Sequence, residues 1–124
     1  MKKGAQPTIC VIDDDADVRK SLRALLESHD FQVADYPSAG DFIAGRHPEN
    51  IGCFLLDLQM PGLSGLEFLE QARKSGVNTP AIILTANGKT PPQRLARANV
   101  LAILRKPAAA EELLQWVRKA LEIG

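Results

Sequence analysis

The sequence predicts an α/β domain built on a five-stranded parallel sheet, doubly wound, with helices on both faces. Three observations carry that prediction. Four of five short strand-like stretches are almost continuously apolar and the other is partly alternating, as expected of a sheet covered on both sides. Between them lie segments whose apolar residues recur at helical spacing. The order strand then helix repeats five times within 124 residues, the length of one domain.

Ile9-Cys10-Val11-Ile12 reads as the first strand, and Ala16 to Ser28 as a helix with Val18, Leu22, Leu25 and Leu26 on one face. Phe31 to Tyr36 is a second, partly alternating strand. Ser38, after Pro37, caps a helix that runs through Ala44 to Gly45. Cys53-Phe54-Leu55-Leu56 forms a third strand closed by Asp57, and a helix from about Ser64 to Lys74 presents Leu66, Leu69 and Ala72 before Gly76 ends it. Ala81-Ile82-Ile83-Leu84 is the fourth strand. The turn-rich run from Ala86 to Pro92 then leads to a short helix near Gln93 to Ala98. Val100 to Leu104 is the fifth strand, stopped by Lys106-Pro107, and Ala109 to Ile123 is a last helix with Leu113, Val117 and Leu121 on its stripe.

Composition bounds the function. With 15 basic and 15 acidic residues the chain has no bias toward nucleic acid. No apolar run approaches the roughly 18 residues that span a bilayer, and Met1-Lys2-Lys3 is followed by Gly-Ala-Gln-Pro, so a cytoplasmic protein without membrane contact is expected. Cys10 and Cys53 lie inside apolar strands and are expected to be reduced, buried and structural. His29 and His47 sit in polar connections, without ligand-like spacing, and are expected to face solvent.

In such sheets ligands gather beyond the carboxyl ends of the strands. Asp13-Asp14-Asp15 ends the first strand, Asp57 the third, Thr85 the fourth and Arg105-Lys106 the fifth. Each has an ordinary reading as a cap, a turn or a surface residue. Their coincidence on one rim is what independent capping preferences do not predict. Carboxylates meeting there repel and raise one another's pKa unless a cation is present, which favours Mg²⁺ and phosphoryl-transfer chemistry.

On these residues the sequence resembles the receiver domain of bacterial response regulators: Ile9 through Asp15, Leu55-Leu56-Asp57-Leu58-Gln59-Met60-Pro61-Gly62, Leu84-Thr85-Ala86 and Arg105-Lys106-Pro107. Val18 to Leu22 and Pro61 to Glu67 look most like the FixJ-type subfamily, whose members often carry a helix-turn-helix output. The resemblance implies a flavodoxin-like sheet of order 2-1-3-4-5 and a single receiver domain over residues 1–124 with no output domain in this chain. It implies that Asp57 is the phosphoacceptor, that Asp14 and Asp57 bind Mg²⁺ with the Gln59 backbone carbonyl, and that Asp13 supports the metal through water. Lys106 would neutralise the phosphoryl oxygens and Thr85 would donate its hydroxyl to them, with self-phosphorylation rather than turnover of an external substrate. The implied donor is a sensor histidine kinase. The implied recipient is a downstream protein or a missing output domain.

The sequence also departs from that pattern. Ile103 stands at the switch position, three residues before Lys106, where an aromatic ring is usual. Ala108 replaces a common Phe, Lys89 replaces a frequent acid, and the interval from Thr85 to Lys106 is one residue short. The four departures are expected on one face, with an irregular fourth helix and an output routed through the first and last helices. The last helix carries Glu111, Glu112, Arg118, Lys119 and Glu122, which suit a homodimer or a solvated face. An alternative reading is a pseudo-receiver that binds partners without phosphorylation. An aspartate phosphatase is disfavoured because Asp57-Leu58-Gln59 lacks the second acid of an Asp-x-Asp pair.

Overall fold

The computed structural model describes residues 6–86 and 92–123. Its elements are β1 (Thr8–Ile12), α1 (Ala16–Ser28), β2 (Gln32–Tyr36), α2 (Ala39–Ala44), β3 (Ile51–Asp57), α3 (Gly65–Lys74), β4 (Ala81–Thr85), α4 (Pro92–Arg97), β5 (Val100–Arg105) and α5 (Ala110–Ile123). All strand pairs are parallel and the order is β2-β1-β3-β4-β5, as expected.

Continuous burial follows from position in the sheet. The three inner strands β1, β3 and β4 are buried almost throughout, whereas the edge strands β2 and β5 are only partly covered. Successive side chains point to opposite faces. Cys10, Ile12, Phe54, Leu56 and Ile83 pack with Phe42 of α2 and Leu66, Phe68 and Leu69 of α3. Ile9, Val11, Cys53, Leu55 and Ile82 pack with Leu26 of α1 and Leu113 and Val117 of α5. The two cysteines are free and buried in different layers, and burial pushes both thiols up to about 12, so they behave as small hydrophobes.

The helices begin where their caps lie. Asp15 accepts hydrogen bonds from the Asp17 and Val18 N–H groups, Ser38 accepts from Asp41, and Ser64 and Glu67 form a reciprocal capping box. The third acid of the Asp13–Asp15 run is therefore a cap, which leaves the first two for the rim. The element boundaries differ from expectation in small ways. β3 begins two residues before Cys53, at Ile51. The glycine that obscures this extension, Gly52, lets Leu121 of α5 and Pro7 approach its backbone, a space that a Cβ would fill. α4 is a six-residue α-helix displaced by one residue from the predicted span. An irregular fourth helix was expected, whereas residues 92–97 form a regular, if short, α-helix; residues 87–91, Lys89 among them, lie outside the described residues. Among the described residues no helix is long and apolar enough to cross a membrane.

Candidate functional site

Asp57 is the last residue of β3 and Thr85 the last of β4, while Asp13 and Lys106 directly follow β1 and β5. Parallel strands bring these ends to one edge of the sheet. Lys106 Nζ stands 2.8 Å from Asp13 Oδ2 and 3.2 Å from Asp57 Oδ2. The other oxygens are held by local turns: Asp57 Oδ1 accepts from the Gln59 N–H at 3.1 Å, and Asp13 Oδ1 from the Asp15 N–H at 2.9 Å. Asp13 and Asp57 are buried, at 2% and 7% exposure, whereas Asp14 and Gln59 are exposed. Thr85 is buried one residue beyond Leu84, the register partner of Asp57, and its carbonyl accepts the Lys106 N–H at 2.9 Å. That backbone bond anchors the lysine at the edge.

The donor set suits a hard divalent cation. Ligand oxygens of Asp13, Asp14 and Asp57 lie within 4.8 Å of one another. Three carboxylates face one ammonium, so negative charge is in excess. Asp13 Oδ2 is sealed from solvent, and its contact with Lys106 is an ion pair without hydrogen-bond alignment, so a lone pair is left without a donor. An oxygen-preferring cation satisfies both the charge and that lone pair.

Burial holds the Asp57 carboxyl above the usual carboxylate range. The Gln59 N–H works against this, the Asp13 charge adds to it, and Lys106 opposes it. Mutual repulsion, the cause named from the sequence, does raise the Asp57 pKa but is secondary to desolvation. The stability consequence has a definite sign. A carboxyl whose folded pKa is raised contributes stability that is complete below its ordinary pKa and is lost as pH rises through the folded value. In metal-free buffer at neutral pH, Asp57→Asn is therefore expected to raise Tm by a few degrees, about 4 °C per kcal/mol for a domain of this size. The gain should vanish on acidification. Melting curves against pH in a chelator would show it, and a lower Tm for the variant at neutral pH would contradict it.

Not every residue singled out from the sequence joins the edge. Ile103 pairs with Ile83 inside the sheet and packs, partly buried, against the layer of α2, α3 and α4. Ala108 packs against the layer of α1 and α5. The departures therefore divide between two faces, because strand alternation sends Ile103 one way while the chain after β5 turns the other. His29 is exposed as expected, but His47, also exposed, stacks on Phe42 with ring centroids 4.4 Å apart.

Two contributors were not singled out. Gly65 opens α3 so close to β3 that a Cβ there would collide with the Asp57 carbonyl oxygen. A glycine just after a helix cap, where alanine is the better helix former, is the available signal of such close approach. Arg19 of α1 donates to the Asp13 carbonyl oxygen at 2.7 Å. Only its place one turn after the acidic run hints at that contact.

A doubly wound parallel sheet with buried aspartates gathered round a lysine at its carboxyl edge defines a class of α/β domains whose site lies at the switch point. The chain belongs to the response regulator receiver domain family, whose model matches residues 9–118. It is 36% identical over 112 residues to the transcriptional regulatory protein FixJ of Azorhizobium caulinodans, covering 90% of this chain and 53% of that protein. It is 33% identical over 119 residues to the C4-dicarboxylate transport transcriptional regulatory protein DctD of Rhizobium meliloti, covering 95% of this chain and 26% of DctD. The chain thus spans about half of the one relative and a quarter of the other. Among solved structures it resembles the response regulator StyR, with a TM-score of 0.89 and 38% identity over 96% of this chain and 61% of StyR. It also resembles a CheY-like receiver domain from Methanospirillum hungatei, with a TM-score of 0.84 and 26% identity over 94% of each. Receiver domains are regulatory parts of two-component systems, which accounts for the class of this chain.

Proposed function

We propose that this domain is a cytoplasmic phosphoacceptor that takes a phosphoryl group from a phosphohistidine of a sensor histidine kinase onto Asp57. The observation that carries the reading is Lys106 Nζ set between Asp13 and Asp57 at a buried acidic edge. An Asp57 carboxylate oxygen attacks phosphorus, the O–P bond forms as the P–N bond of the donor breaks, and the departing imidazole keeps the electron pair and takes a proton. The Asp14 and Asp57 carboxylates with the Gln59 backbone carbonyl, supported by Asp13 through water, would hold Mg²⁺, which when bound supplies positive charge to the transferred oxygens. Lys106 stabilises the same developing charge, and the Thr85 hydroxyl serves as a donor to the phosphoryl group.

The whole of residues 1–124 acts as one receiver domain in this reading. Ile103 is too small to report Thr85 movement by turning a ring, so the output runs through the α1 and α5 side. There Ala108 helps to line an apolar groove of about 510 Å³ with Val18, Leu22 and Leu25, directly beside Lys106, for a downstream protein.

Incubation with Mg²⁺ and acetyl phosphate, followed by peptide mass analysis, tests the assignment. One phosphoryl group is expected on the peptide that contains Asp57, and none on Asp57→Asn. A wild-type chain that takes no label, or a label that persists in the variant, would refute it; the first of these outcomes is what a pseudo-receiver would give.

A further inference from the structure

We infer that Arg19 is a positioning residue for the metal-binding carboxylates, an inference that rests on the Mg²⁺-dependent reading above. Its Nη1 donates to the main-chain carbonyl of Asp13 at 2.7 Å and its Nε to Asp35 Oδ2 at 3.2 Å. Asp35 in turn accepts from Arg23 Nη1 at 2.6 Å, and Arg23 Nε donates to Glu27 at 3.0 Å. Arg19 is thereby held at both ends, with only 18% of its side chain exposed.

The grip falls at a telling place. The Asp13 carbonyl belongs to the planar peptide unit that joins Asp13 to Asp14. On the other side, the Asp13 N–H donates to the Tyr36 carbonyl of β2 at 3.2 Å, and beyond Asp14 the chain is pinned again by Asp15 capping α1. Asp14 is exposed between these fixed points, so the orientation of that one peptide plane sets where its carboxylate stands relative to Asp13 and Asp57. Arg19 fixes the plane.

Charge and positioning predict opposite signs. Removing a cation close to an acidic site makes the site more negative, which by itself tightens Mg²⁺ binding. Freeing the peptide plane disperses the carboxylates and weakens it, and outer partners of metal ligands typically contribute about 10- to 100-fold in affinity. For Arg19→Ala the positioning role therefore predicts roughly tenfold weaker Mg²⁺ binding by titration calorimetry, at a temperature well below the melting point of each variant. Arg19→Lys, which keeps the charge but reaches only one of the two acceptors, should fall between wild type and Arg19→Ala. Asp35→Asn should shift affinity in the same direction, and the double variant should add little to Arg19→Ala because the two residues act as one unit.

Unchanged or tighter binding in Arg19→Ala overturns the inference. Should that variant fail to fold, Arg19→Lys decides because it keeps the charge, and wild-type affinity in it overturns the inference equally. A wild-type chain that binds no Mg²⁺ would instead overturn the functional reading on which the inference rests.

Discussion

Lys106→Met is expected to slow labelling of Asp57 by acetyl phosphate by roughly 100- to 1000-fold, the usual cost of removing one preorganised donor from a developing oxyanion. Methionine matches the four-atom apolar stem of the lysine, with sulfur in place of the δ-methylene, and lacks the ammonium. The same change affects the resting fold. Lys106 touches two carboxylates that are almost sealed from water, and these contacts, Asp13 foremost, raise its pKa even though burial works against the charged form. Such a lysine contributes stability that is complete below its ordinary pKa and lost as pH rises through the raised one, so the contribution is present in full at neutral pH. Breaking a fully buried pair costs about 3–5 kcal/mol, and the partial exposure of Lys106 places this case nearer 1–3 kcal/mol. In metal-free buffer the variant should melt some 4–12 °C lower, at about 4 °C per kcal/mol. Saturating Mg²⁺ should narrow the gap, because it supplies charge to the same oxygens. Labelling at the wild-type rate would remove Lys106 from the chemistry, and an unchanged melting point would remove it from the fold.

Gly65→Ala is expected to lower Tm by about 5–10 °C and to weaken Mg²⁺ binding with it. In most helices this exchange stabilises by up to about 1 kcal/mol, because alanine has less backbone freedom to lose. Here the new Cβ meets the Asp57 carbonyl oxygen, which is rigid backbone rather than the far end of a flexible side chain. Either α3 retreats or the end of β3 moves, and overpacking of this kind costs about 1–3 kcal/mol, which exceeds the gain. Because the displaced residue is Asp57, the damage reaches the site. Gly40→Ala in α2 is the control: its Cβ would meet only Ser38 Oγ at 3.7 Å, an ordinary contact. Thermal melts of both, with Mg²⁺ titrations, check the contrast. Gly65→Ala as stable as Gly40→Ala would mean that the contact yields without cost.

The strands were legible because a strand covered on both faces must be apolar at consecutive positions, as in Ile9 to Ile12 and Ala81 to Leu84. Asp57 and Thr85 were legible because polar residues that close such runs have nowhere to go but the sheet edge. Boundaries were less clear where backbone need competes with propensity. Gly52 concealed two residues of β3, and the short α4 shifted by one. Capping chemistry also separated residues that look identical in a list of acids: Asp15 holds α1, Asp13 is buried in the site, and Asp14 is exposed beside it.

The sequence alone determined the alternation of elements, the parallel sheet and the strand-end set of Asp13-Asp14-Asp15, Asp57, Thr85 and Arg105-Lys106, since periodicity and strand-end chemistry are local properties of the chain; the family resemblance narrowed that set to Asp13, Asp14, Asp57, Thr85 and Lys106. Tertiary structure alone decided how those residues act on one another. Lys106 reaches Asp57 across 49 residues of chain, Arg19 grips the peptide before Asp14, Gly65 presses on Asp57, and Ile103 and Ala108 face different layers. The weight of burial over repulsion at Asp57 belongs with them. Desolvation, ion pairing and close packing depend on distances between segments that the order of residues does not state, and only the folded sheet supplies those distances.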